Sequence, residues 1–322
     1  MLLAGLDAGQ TSTRCRVSQW TGSQWLTVGE GTGPGVSHLA ASGGIERFQQ
    51  AVRSSVRTAL AASHGDALAA DLSGVGLIDA VVIGASGIEQ GTPLQDQASA
   101  LLADALAIAP HQALATGDER TALRGAFPDG AGIVVISGTG TICVGRDGSG
   151  LEHRCGGWGW RLDGAGAAFD LGHHALQLSL RMADGRLPDH PLRRTLWHAL
   201  GCHSSVDVKA RVVQPDFGPA DFAALAPLVD TAASEGLEDA QRILDRSAEA
   251  LVEMISAVVT ALQLTDPAVV PHGGALLHLP LFRATVNQRL AEQMPRAQWC
   301  TAAGDACDGA LQLARDLMIR PR

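Results

Sequence analysis

The stretch Leu6-Asp7-Ala8-Gly9-Gln10-Thr11-Ser12-Thr13-Arg14 follows a short apolar run and decides how the rest of the chain is interpreted. A second stretch of similar character, Ile136-Ser137-Gly138-Thr139-Gly140-Thr141, follows another apolar run about 130 residues later. Each is succeeded by an alternating segment, a polar turn and a further alternating segment, which is the pattern of a strand meander. The chain therefore resembles two copies of one unit, each with a turn rich in glycine and threonine.

Turns of this composition are suited to holding a phosphate group. Backbone N–H groups in a glycine-containing turn can point together at phosphate oxygens, and threonine hydroxyls add further donors. Asp7 ends a strand at the first turn, where its carboxylate could hold a magnesium ion through water. An ordinary hairpin explains either turn alone, whereas two such turns in related units predict a nucleotide held between two halves.

Composition argues against several functions. The 322 residues carry a formal net charge of −9 without a basic stripe, so a nucleic-acid partner is not expected. No stretch approaches the roughly 20 apolar residues that span a bilayer, and we expect neither a membrane segment nor a signal peptide. Lys209, the single lysine, lies in no P-loop motif. The six cysteines lack zinc-like spacing, so free thiols in a reducing cytoplasm are expected.

Strands and helices alternate on a scale that predicts an α/β fold with mixed sheets. The predicted strands are Leu2–Asp7, Arg14–Gln19, Gln24–Val28, Asp79–Ala85, His111–Ala115, Gly132–Ser137, Thr141–Gly145, Leu151–Arg154 and Pro267–Pro271. The predicted helices are Ile45–Ser63, Thr92–Ile108, Glu119–Phe127, Leu277–Gln293 and Asp305–Met318, with a mainly helical stretch between Gly166 and Gln263. No low-complexity linker divides the chain, and the best boundary lies near Gly117.

Asp118 stands at this boundary, directly after a predicted strand. Its carboxylate could accept the proton of a hydroxyl that attacks the γ-phosphate of a nucleotide. Help of this kind is worth roughly 10²–10⁴-fold in rate, and positioning and charge stabilisation supply most of the rest. Alternatively, Asp118 caps the helix Glu119–Phe127, and the residues alone leave both roles open. Glu119 is expected to be a solvated charge in the first helical turn.

The order of the motifs resembles the sugar-kinase/actin/Hsp70 superfamily. The motifs are DxGxTxTR from Asp7, the strand-end Asp118, SGTGT from Ser137, GGWG from Gly156 and the Gly273-Gly274 turn. More narrowly, the chain is similar to the BadF/BadG/BcrA/BcrD ATPase family, in the branch with N-acetylglucosamine kinase and bacterial glucosamine kinase. The resemblance covers essentially the whole chain. It implies an α/β, two-domain actin-like ATPase (ribonuclease H-like) fold with an interdomain cleft for ATP, Mg²⁺ and an amino sugar.

The resemblance also implies domains and site residues. The expected domains are 1-117, joined by a closing helix at about 305-322, and 118-304 with a helical insertion. The expected ATP and phosphate contacts are Asp7, Gly9, Gln10, Thr11, Thr13, Gly138, Thr139, Gly140, Gly273 and Gly274. The expected sugar contacts are Ser86, Gly87, Asp118, Gly157, Trp158 and Asp163. Asp118 matches the family's catalytic aspartate, and Asp7 is expected to hold Mg²⁺ through water.

The segment after GGWG departs from the family pattern, which commonly continues xxx-GDEGS. In the ungapped register Gly164, Ala165 and Ala167 replace the family's Asp, Glu and Ser, while Asp163 lies one residue early. Loss of a carboxylate that bonds sugar hydroxyls would remove about 1.5–3 kcal/mol. Either the sugar differs, or Asp163 substitutes, or kinase activity is lost. Ser37-His38 also stands where the family often has an asparagine contact.

We therefore expect an ATP-dependent kinase that phosphorylates an amino sugar, with N-acetylglucosamine or glucosamine at O6 as the leading substrates. One alternative is a non-catalytic nucleotide- or sugar-binding sensor, which only the altered segment supports. Another is an ATPase activator of a radical dehydratase, which needs cysteines that share an iron–sulfur cluster across a dimer. We also expect a cytoplasmic homodimer that uses ATP and Mg²⁺.

Overall fold

The computed structural model describes residues 1–64 and 77–319. Contacts divide the chain into two compact units, Met1–Gly130 with Thr301–Arg322 and Ala131–Cys300. This division differs from the boundary expected at Gly117. The helix Asp118–Ala126 packs against the C-terminal helix and so belongs to the first unit. Residues 320–322, the end of the expected closing segment, lie outside the described residues.

The described elements follow the predicted order. The strands are β1 (Leu2–Ala8), β2 (Ser12–Trp20), β3 (Trp25–Pro34), β4 (Ala80–Ala85), β5 (Ala113–Thr116), β6 (Gly132–Ser137), β7 (Thr141–Arg146), β8 (Glu152–Gly156), β9 (Ala268–His272) and β10 (Gln298–Trp299). The helices are α1 (Gly44–His64), α2 (Pro93–Leu106), α3 (Asp118–Ala126), α4 (Ala168–Ala183), α5 (Pro191–Ala199), α6 (Ser205–Val212), α7 (Pro219–Ala223), α8 (Ala226–Ser234), α9 (Glu238–Leu262), α10 (Gly274–His278), α11 (Pro280–Gln293) and α12 (Ala306–Ile319).

The two sheets share one topology, as the repeated sequence pattern predicted. The first has the order β3-β2-β1-β4-β5, and the second has the order β10-β9-β6-β7-β8. In each, an antiparallel three-stranded meander is extended on the side of its first strand by two parallel strands. The mixed α/β prediction is confirmed, and β10 is a short edge strand that the sequence did not reveal.

In the first unit, apolar runs and capping residues explain the elements. All six residues of β4 are buried, as expected for a strand covered on both faces. In α1, Phe48, Val52 and Val56 recur at helical spacing and are buried in the core under the sheet. Thr92 caps α2 by accepting the Gln95 N–H, so this predicted helix start is confirmed.

The second unit has a large apolar core in which α9 is the longest helix described. The prediction of one continuous helix over Leu277–Gln293 is wrong. Instead, α10 ends at His278 and α11 begins at Pro280. Proline lacks the N–H that a continuous helix requires, and its ring restricts the preceding residue to extended conformations, as Leu279 shows.

Candidate functional site

The first unit brings three predicted motifs to one edge of its sheet. In the parallel strands β1, β4 and β5, Asp7 lies opposite Gly84, and Gly84 lies opposite Thr116. The turns that follow β4 and β5 carry Ser86 and Asp118. Carboxyl ends of neighbouring parallel strands form the usual ligand edge of an α/β sheet. Residues 7, 86 and 118, far apart in sequence, therefore share that edge.

The first glycine-containing turn is closed by its own backbone. The Gly9 N–H donates to the Ser12 carbonyl at 3.0 Å, and the Gly9 carbonyl accepts from Val36 N–H. Gln10 and Thr11 are exposed and remain as proposed phosphate donors. Thr13 is different, because it is fully buried and its hydroxyl donates to the Pro34 carbonyl at 2.9 Å. We therefore remove Thr13 from the expected phosphate contacts.

Asp7 forms an ion pair that the sequence did not indicate. Arg14, on β2, donates to its carboxylate at 2.8 Å and to that of Asp305 at 3.2 Å. Arg16 binds Asp305 as well, at 3.0 Å. No local pattern links residues nearly 300 positions apart, so only the packing of the C-terminal segment reveals this cluster. Arg14 orients the Asp7 carboxylate at the sheet edge.

Asp118 is the first residue of α3, and Gly117 occupies the N-cap position. The Asp118 Oδ1 accepts the N–H of Glu119 at 3.1 Å. Burial raises the pKa of the Asp118 carboxyl, and the nearby Asp7 charge raises it further. A carboxylate with a raised pKa holds a proton more strongly, which is the property that a general base requires.

Glu119 was expected to be a solvated charge, and this is wrong. Its side chain is buried and folds back over Gly117, where a Cβ atom would meet Oε2 at 2.1 Å. Only glycine at position 117 leaves room for this arrangement. The start of α3 therefore carries a buried carboxyl group, that of Glu119, next to Asp118, and this packing fixes the helix start that holds Asp118.

The turn after β4 has a histidine beside it. Gly87 has φ of +83°, and a Cβ atom there would lie 3.4 Å from the His38 ring. The His38 Nδ1 accepts the Ala40 N–H at 3.2 Å. In the neutral ring the proton is then on Nε2. His38 thus offers an N–H donor beside Ser86-Gly87, at the position where the family pattern has an asparagine.

The second unit also gathers its motifs at one edge. Ile136 of β6 lies opposite His272 of β9, and Ile142 of β7 lies opposite Gly156 of β8. The turns after β6, β8 and β9 are therefore neighbours. In the first of these, the Gly138 N–H donates to the Gly140 carbonyl. Thr139 and Gly140 are exposed and remain as proposed phosphate donors.

The Gly273-Gly274 turn packs directly on this phosphate turn. Gly273 has φ of +89°, and a Cβ atom there would lie 2.4 Å from the Ser137 carbonyl oxygen and 2.9 Å from the Gly138 nitrogen. A side chain cannot be accommodated there without displacing backbone. Gly274 begins α10, so the turn also presents a helix N-terminus. The two expected nucleotide motifs of this unit are in contact.

The segment 155–167, which we call the sugar loop, is hydrogen-bonded to the same turn. The Ser137 hydroxyl donates to the Gly166 carbonyl at 2.6 Å, and the Ala168 N–H donates to the Gly138 carbonyl at 2.8 Å. The Thr141 hydroxyl donates to the Ala165 carbonyl at 3.1 Å. These bonds couple the position of the loop to that of the phosphate turn.

The GGWG part of the loop exposes one tryptophan and packs the other. Trp158 is 61% exposed, and the Arg154 guanidinium lies 4.8 Å from its ring centroid. Trp160 packs edge-on against Phe169, with the two ring centroids 5.3 Å apart. Gly157 has φ of +77°, a conformation that favours glycine. Trp158 and the Gly157 backbone remain the proposed sugar contacts.

Asp163 does not cap the following helix, α4. The N-cap of α4 is Ala167, without a side-chain hydrogen bond. The Asp163 N–H instead donates to the Gly159 carbonyl, and one carboxylate oxygen lies 3.6 Å from where a Gly156 Cβ would stand. Burial, with help from the charge of Asp163, raises the pKa of the Cys155 thiol. The carboxylate therefore faces the GGWG turn.

Asp170 is a structural carboxylate that sequence reasoning missed. It is buried in the first turn of α4, where Arg246 donates to it at 2.7 Å and the Ser247 hydroxyl also bonds it. Burial alone would raise its pKa, but the bonds from His174, Ser247 and Arg246 outweigh burial and lower it to about 2. The sequence signal for this contact is the spacing of an acid four residues after Gly166, because the Gly166 N–H donates to the Asp170 carboxylate.

The donor set fits the expected magnesium ion only through water. Among residues 1–64 and 77–319, no group of three or more His, Cys, Asp or Glu side chains could hold a metal by itself. Mg²⁺ usually keeps several waters and takes one or two carboxylates with substrate phosphates. Asp7 and Asp118 supply two carboxylates whose charges repel each other. A cation near Asp7 would relieve this repulsion.

Two further observations concern the competing classes. All six cysteines are free; Cys143 is fully buried and lies opposite Cys155 in the β7–β8 pair. A buried thiol within a sheet cannot reach a cluster shared with another subunit.

Within the described part of the chain, no helix combines the length and apolarity of a membrane span.

The comparisons with known proteins identify the family. The model of the BadF/BadG/BcrA/BcrD ATPase family matches residues 4–309, so the chain belongs to this family. It is 28% identical over 204 residues to N-acetylmuramic acid/N-acetylglucosamine kinase of Clostridium acetobutylicum, covering 63% of this chain and 67% of that protein. It is 29% identical over 187 residues to N-acetyl-D-glucosamine kinase of Dictyostelium discoideum, covering 57% and 59%, respectively.

Solved structures agree with this assignment. A protein from Chromobacterium violaceum, provisionally named N-acetylglucosamine kinase, has a TM-score of 0.74 at 25% identity, covering 97% of this chain and 98% of that one. A ROK family glucokinase from Streptomyces griseus, solved with glucose and AMPPNP, has a TM-score of 0.56 at 16% identity, covering 98% and 100%. The fold is that of sugar kinases of the actin-like ATPase type. Family and relatives confirm the predicted enzyme class, an ATP-dependent sugar kinase.

Proposed function

We propose that this chain transfers the γ-phosphate of ATP to a hydroxyl of an amino sugar, with O6 of N-acetylglucosamine or glucosamine as the leading acceptor. The observation that carries the proposal is Asp118, held at the sheet edge beside Asp7 and the Ser86-Gly87 turn, with a raised pKa. The named activities of two curated relatives support the choice of sugar, and one of them also acts on N-acetylmuramic acid.

Asp118 accepts the proton of the attacking hydroxyl as the oxygen bonds to the γ-phosphorus and the bond to the β-phosphate oxygen breaks. Asp118 is the first residue of α3, and this helix start is fixed by Gly117 and the buried Glu119. Its carboxylate is therefore kept at the sheet edge. Exposed backbone at Gln10, Thr11, Thr139 and Gly140 supplies donors for the phosphates. Bound Mg²⁺ would supply charge neutralisation between the phosphates, with Asp7 as its ligand through water.

The sugar is held by the loop and by the turn after β4. We assign contacts to the Gly157 backbone, the exposed face of Trp158 and the Asp163 carboxylate, which takes the place of the family's missing acid. In the first unit, the His38 Nε2–H adds a donor beside Ser86-Gly87. Neutral donors and one carboxylate suit hydroxyl and acetamido groups, which are polar without charge.

A screen of ADP release tests this proposal. The chain is supplied with ATP, Mg²⁺ and, in turn, glucosamine, N-acetylglucosamine, N-acetylmuramic acid and glucose, with a no-sugar control. We expect turnover with an amino sugar well above that with glucose. Omitting Mg²⁺ or adding a chelator should abolish it. ADP release that is independent of every sugar would contradict the kinase and favour the ATPase activator.

A non-catalytic sensor is the second candidate, and the replacement of the family acids by Gly164 and Ala165 is the observation that favours it. Calorimetry combined with the ADP assay separates the two, because a sensor binds ATP or sugar without releasing ADP. The predicted homodimer and cytoplasmic location belong to the same proposal. Sedimentation and cell fractionation are the measurements that check them.

A further inference from the structure

A cavity of about 540 Å³ lies in the second unit and shares no lining residue with the proposed kinase site. Its walls come from α4, from α6 and from Phe222 of α7. Most of the lining is apolar, including Leu176, Leu180, Val208 and Val212. Small-molecule sites are typically clefts of roughly 300–1,000 Å³ with apolar walls and few polar groups, so this cavity has the size and character of one.

Of the charged side chains that line the cavity, one lacks a partner among the described residues. Arg186 binds Asp184 at 2.9 Å, which neutralises both charges. His173 and Gln177 are within hydrogen-bond distance of each other. Lys209, which is exposed, lines the same cavity, and among the described residues it has neither a hydrogen bond nor an ion pair. An apolar cavity with one unpaired cation is complementary to an amphipathic anion.

The cavity reaches solvent beside Lys209. Val206 is 72% exposed and lines the cavity one helical turn from this lysine, so the apolar wall continues to the surface. The mouth thus offers an apolar surface next to a cation. A carboxylate can pair with the cation there while an apolar body enters the cavity and leaves water.

Aromatic contacts separate the cavity from the sugar loop. Phe222 packs on His173 at 5.2 Å, and His173 stacks on Phe169 at 5.4 Å. On its other side, Phe169 contacts Trp160 of the sugar loop. The two sites are therefore distinct, with one layer of rings between them.

We propose that this cavity binds a small amphipathic monocarboxylate, aliphatic or aromatic, whose carboxylate pairs with Lys209. The apolar body would lie against Leu176, Leu180 and Val212. A sugar or free phosphate does not suit the site, because its apolar walls offer too few partners for several hydroxyls or for a dianion.

The single lysine makes a sharp test possible. Lys209 is acetylated with an amine-selective ester, and the modified fraction is measured by mass spectrometry with octanoate, with octanamide or without ligand. The α-amino group of Met1 is the internal control for reagent strength. We expect octanoate to slow acetylation of Lys209 at least about threefold, with Met1 unchanged and octanamide much less effective at the same concentration.

Calorimetry on variants separates the charge from the cavity. Lys209→Gln should weaken octanoate binding roughly tenfold or more because it removes a charge-assisted hydrogen bond. Lys209→Arg keeps the cation and should remain within about threefold. Ala183→Phe adds a ring from an exposed lining position and should remove octanoate binding without a change in melting temperature.

Several outcomes would overturn the proposal. Equal protection by acid and amide, or an unchanged affinity in Lys209→Gln, contradicts the carboxylate–lysine pair. Full binding to a folded Ala183→Phe contradicts the cavity. Protection that grows with protein concentration in the absence of acid identifies contact between copies of the chain instead. None of these measurements depends on kinase activity, so their failure is distinguishable from failure of the proposed function.

Discussion

The two proposed phosphate turns are each closed by their first glycine but differ in what surrounds them. In each, the first glycine closes the turn through its N–H, and the next two residues are exposed. The turn after β1 is surrounded by charges, with Asp7 bound to Arg14 and facing Asp118. The turn after β6 is held by glycine packing and by hydroxyl bonds to the sugar loop.

This difference suggests a division of labour. Carboxylates whose charges interact can hold and move a proton, so in the proposed function the first unit supplies the acid–base chemistry. Backbone donors and close glycine contacts recognise shape without titrating, so in the proposed function the second unit supplies most of the recognition of the substrates. Asp163 is the exception, since it places one carboxylate at the loop of the second unit. Four substitutions test this comparison.

Asp118→Asn should have the largest effect, lowering turnover by roughly 10²-fold or more while ATP affinity and melting temperature stay near those of the original chain. Asparagine keeps the shape and the hydrogen bond to the Glu119 N–H but cannot accept the proton. Initial rates of ADP release with the best sugar, together with ATP calorimetry, measure both quantities. Asp129→Asn, at an exposed position in the same unit, is the matched control. Unchanged turnover with a lower melting temperature would make Asp118 a structural residue.

Asp163→Ala should lower kcat/KM for the sugar by roughly 10- to 150-fold, because a charge-assisted hydrogen bond of about 1.5–3 kcal/mol is lost. The affinity for ATP should be nearly unaltered. Steady-state kinetics with each substrate varied in turn distinguish the two. Asp266→Ala removes an exposed carboxylate of the same unit and serves as the control. Kinetics equal to those of the original chain would leave sugar recognition to backbone groups and Trp158.

Gly273→Ala should raise KM for ATP roughly tenfold, since the added Cβ meets the Ser137 carbonyl oxygen and the residue is strained at φ of +89°. The sugar KM should change less. Gly236→Ala has a similar φ of +95° with no atom within 4 Å of its Cβ, so it isolates strain from collision. If both variants change KM for ATP to the same extent, the contact between the two nucleotide motifs does not contribute to ATP binding.

Asp170→Asn should have the smallest effect on turnover but a measurable one on stability. The bonds from His174, Ser247 and Arg246 lower the pKa of Asp170 from the ordinary value of an aspartate to about 2. Because the pKa is lower in the folded chain than in the unfolded chain, the ionised carboxylate stabilises the fold at pH values above the unfolded pKa. This stabilisation is lost as the pH falls toward 2, and it corresponds to about 2 kcal/mol. Denaturant titrations at pH 7 and at about pH 3 should show a gap between original and variant that narrows on acidification. Asp216→Asn, in an exposed ion pair, should show almost no gap.

The sequence predicted the fold well because its signals are local. Apolar runs, the Thr92-Pro93 helix start and the repeated meander each lie within a few consecutive residues, and the structure confirms them. The motifs likewise follow strand ends, so shared sheet edges could be inferred. The features that the sequence did not predict depend on packing between distant segments. Burial of Glu119 needs glycine at 117 and the surrounding helices, and the Arg14–Asp305 pair joins opposite ends of the chain.

The polar network of Asp170 could not be read from spacing either. Its partners Arg246 and Ser247 lie on α9, more than 70 residues away, and a single aspartate in a helical first turn usually signals only a favourable helix dipole. Thr13 is the opposite case, in which a motif position predicted a contact that the structure does not place there. Its motif position predicted a phosphate contact, yet the strand geometry turns its hydroxyl to the Pro34 carbonyl. Motif positions indicate which residues belong to a site, whereas side-chain direction depends on the strand that carries them.

The phosphorus NMR spectrum of a reaction with ATP, Mg²⁺ and N-acetylglucosamine tests the central claim most directly. Transfer to O6 predicts a new phosphomonoester resonance coupled to the two protons on C6, which grows as the γ-phosphate resonance disappears and ADP accumulates. Inorganic phosphate in place of the ester would show ATP hydrolysis without transfer. An unchanged ATP spectrum across the amino sugars, despite calorimetric binding, would contradict the kinase account and leave a sensor.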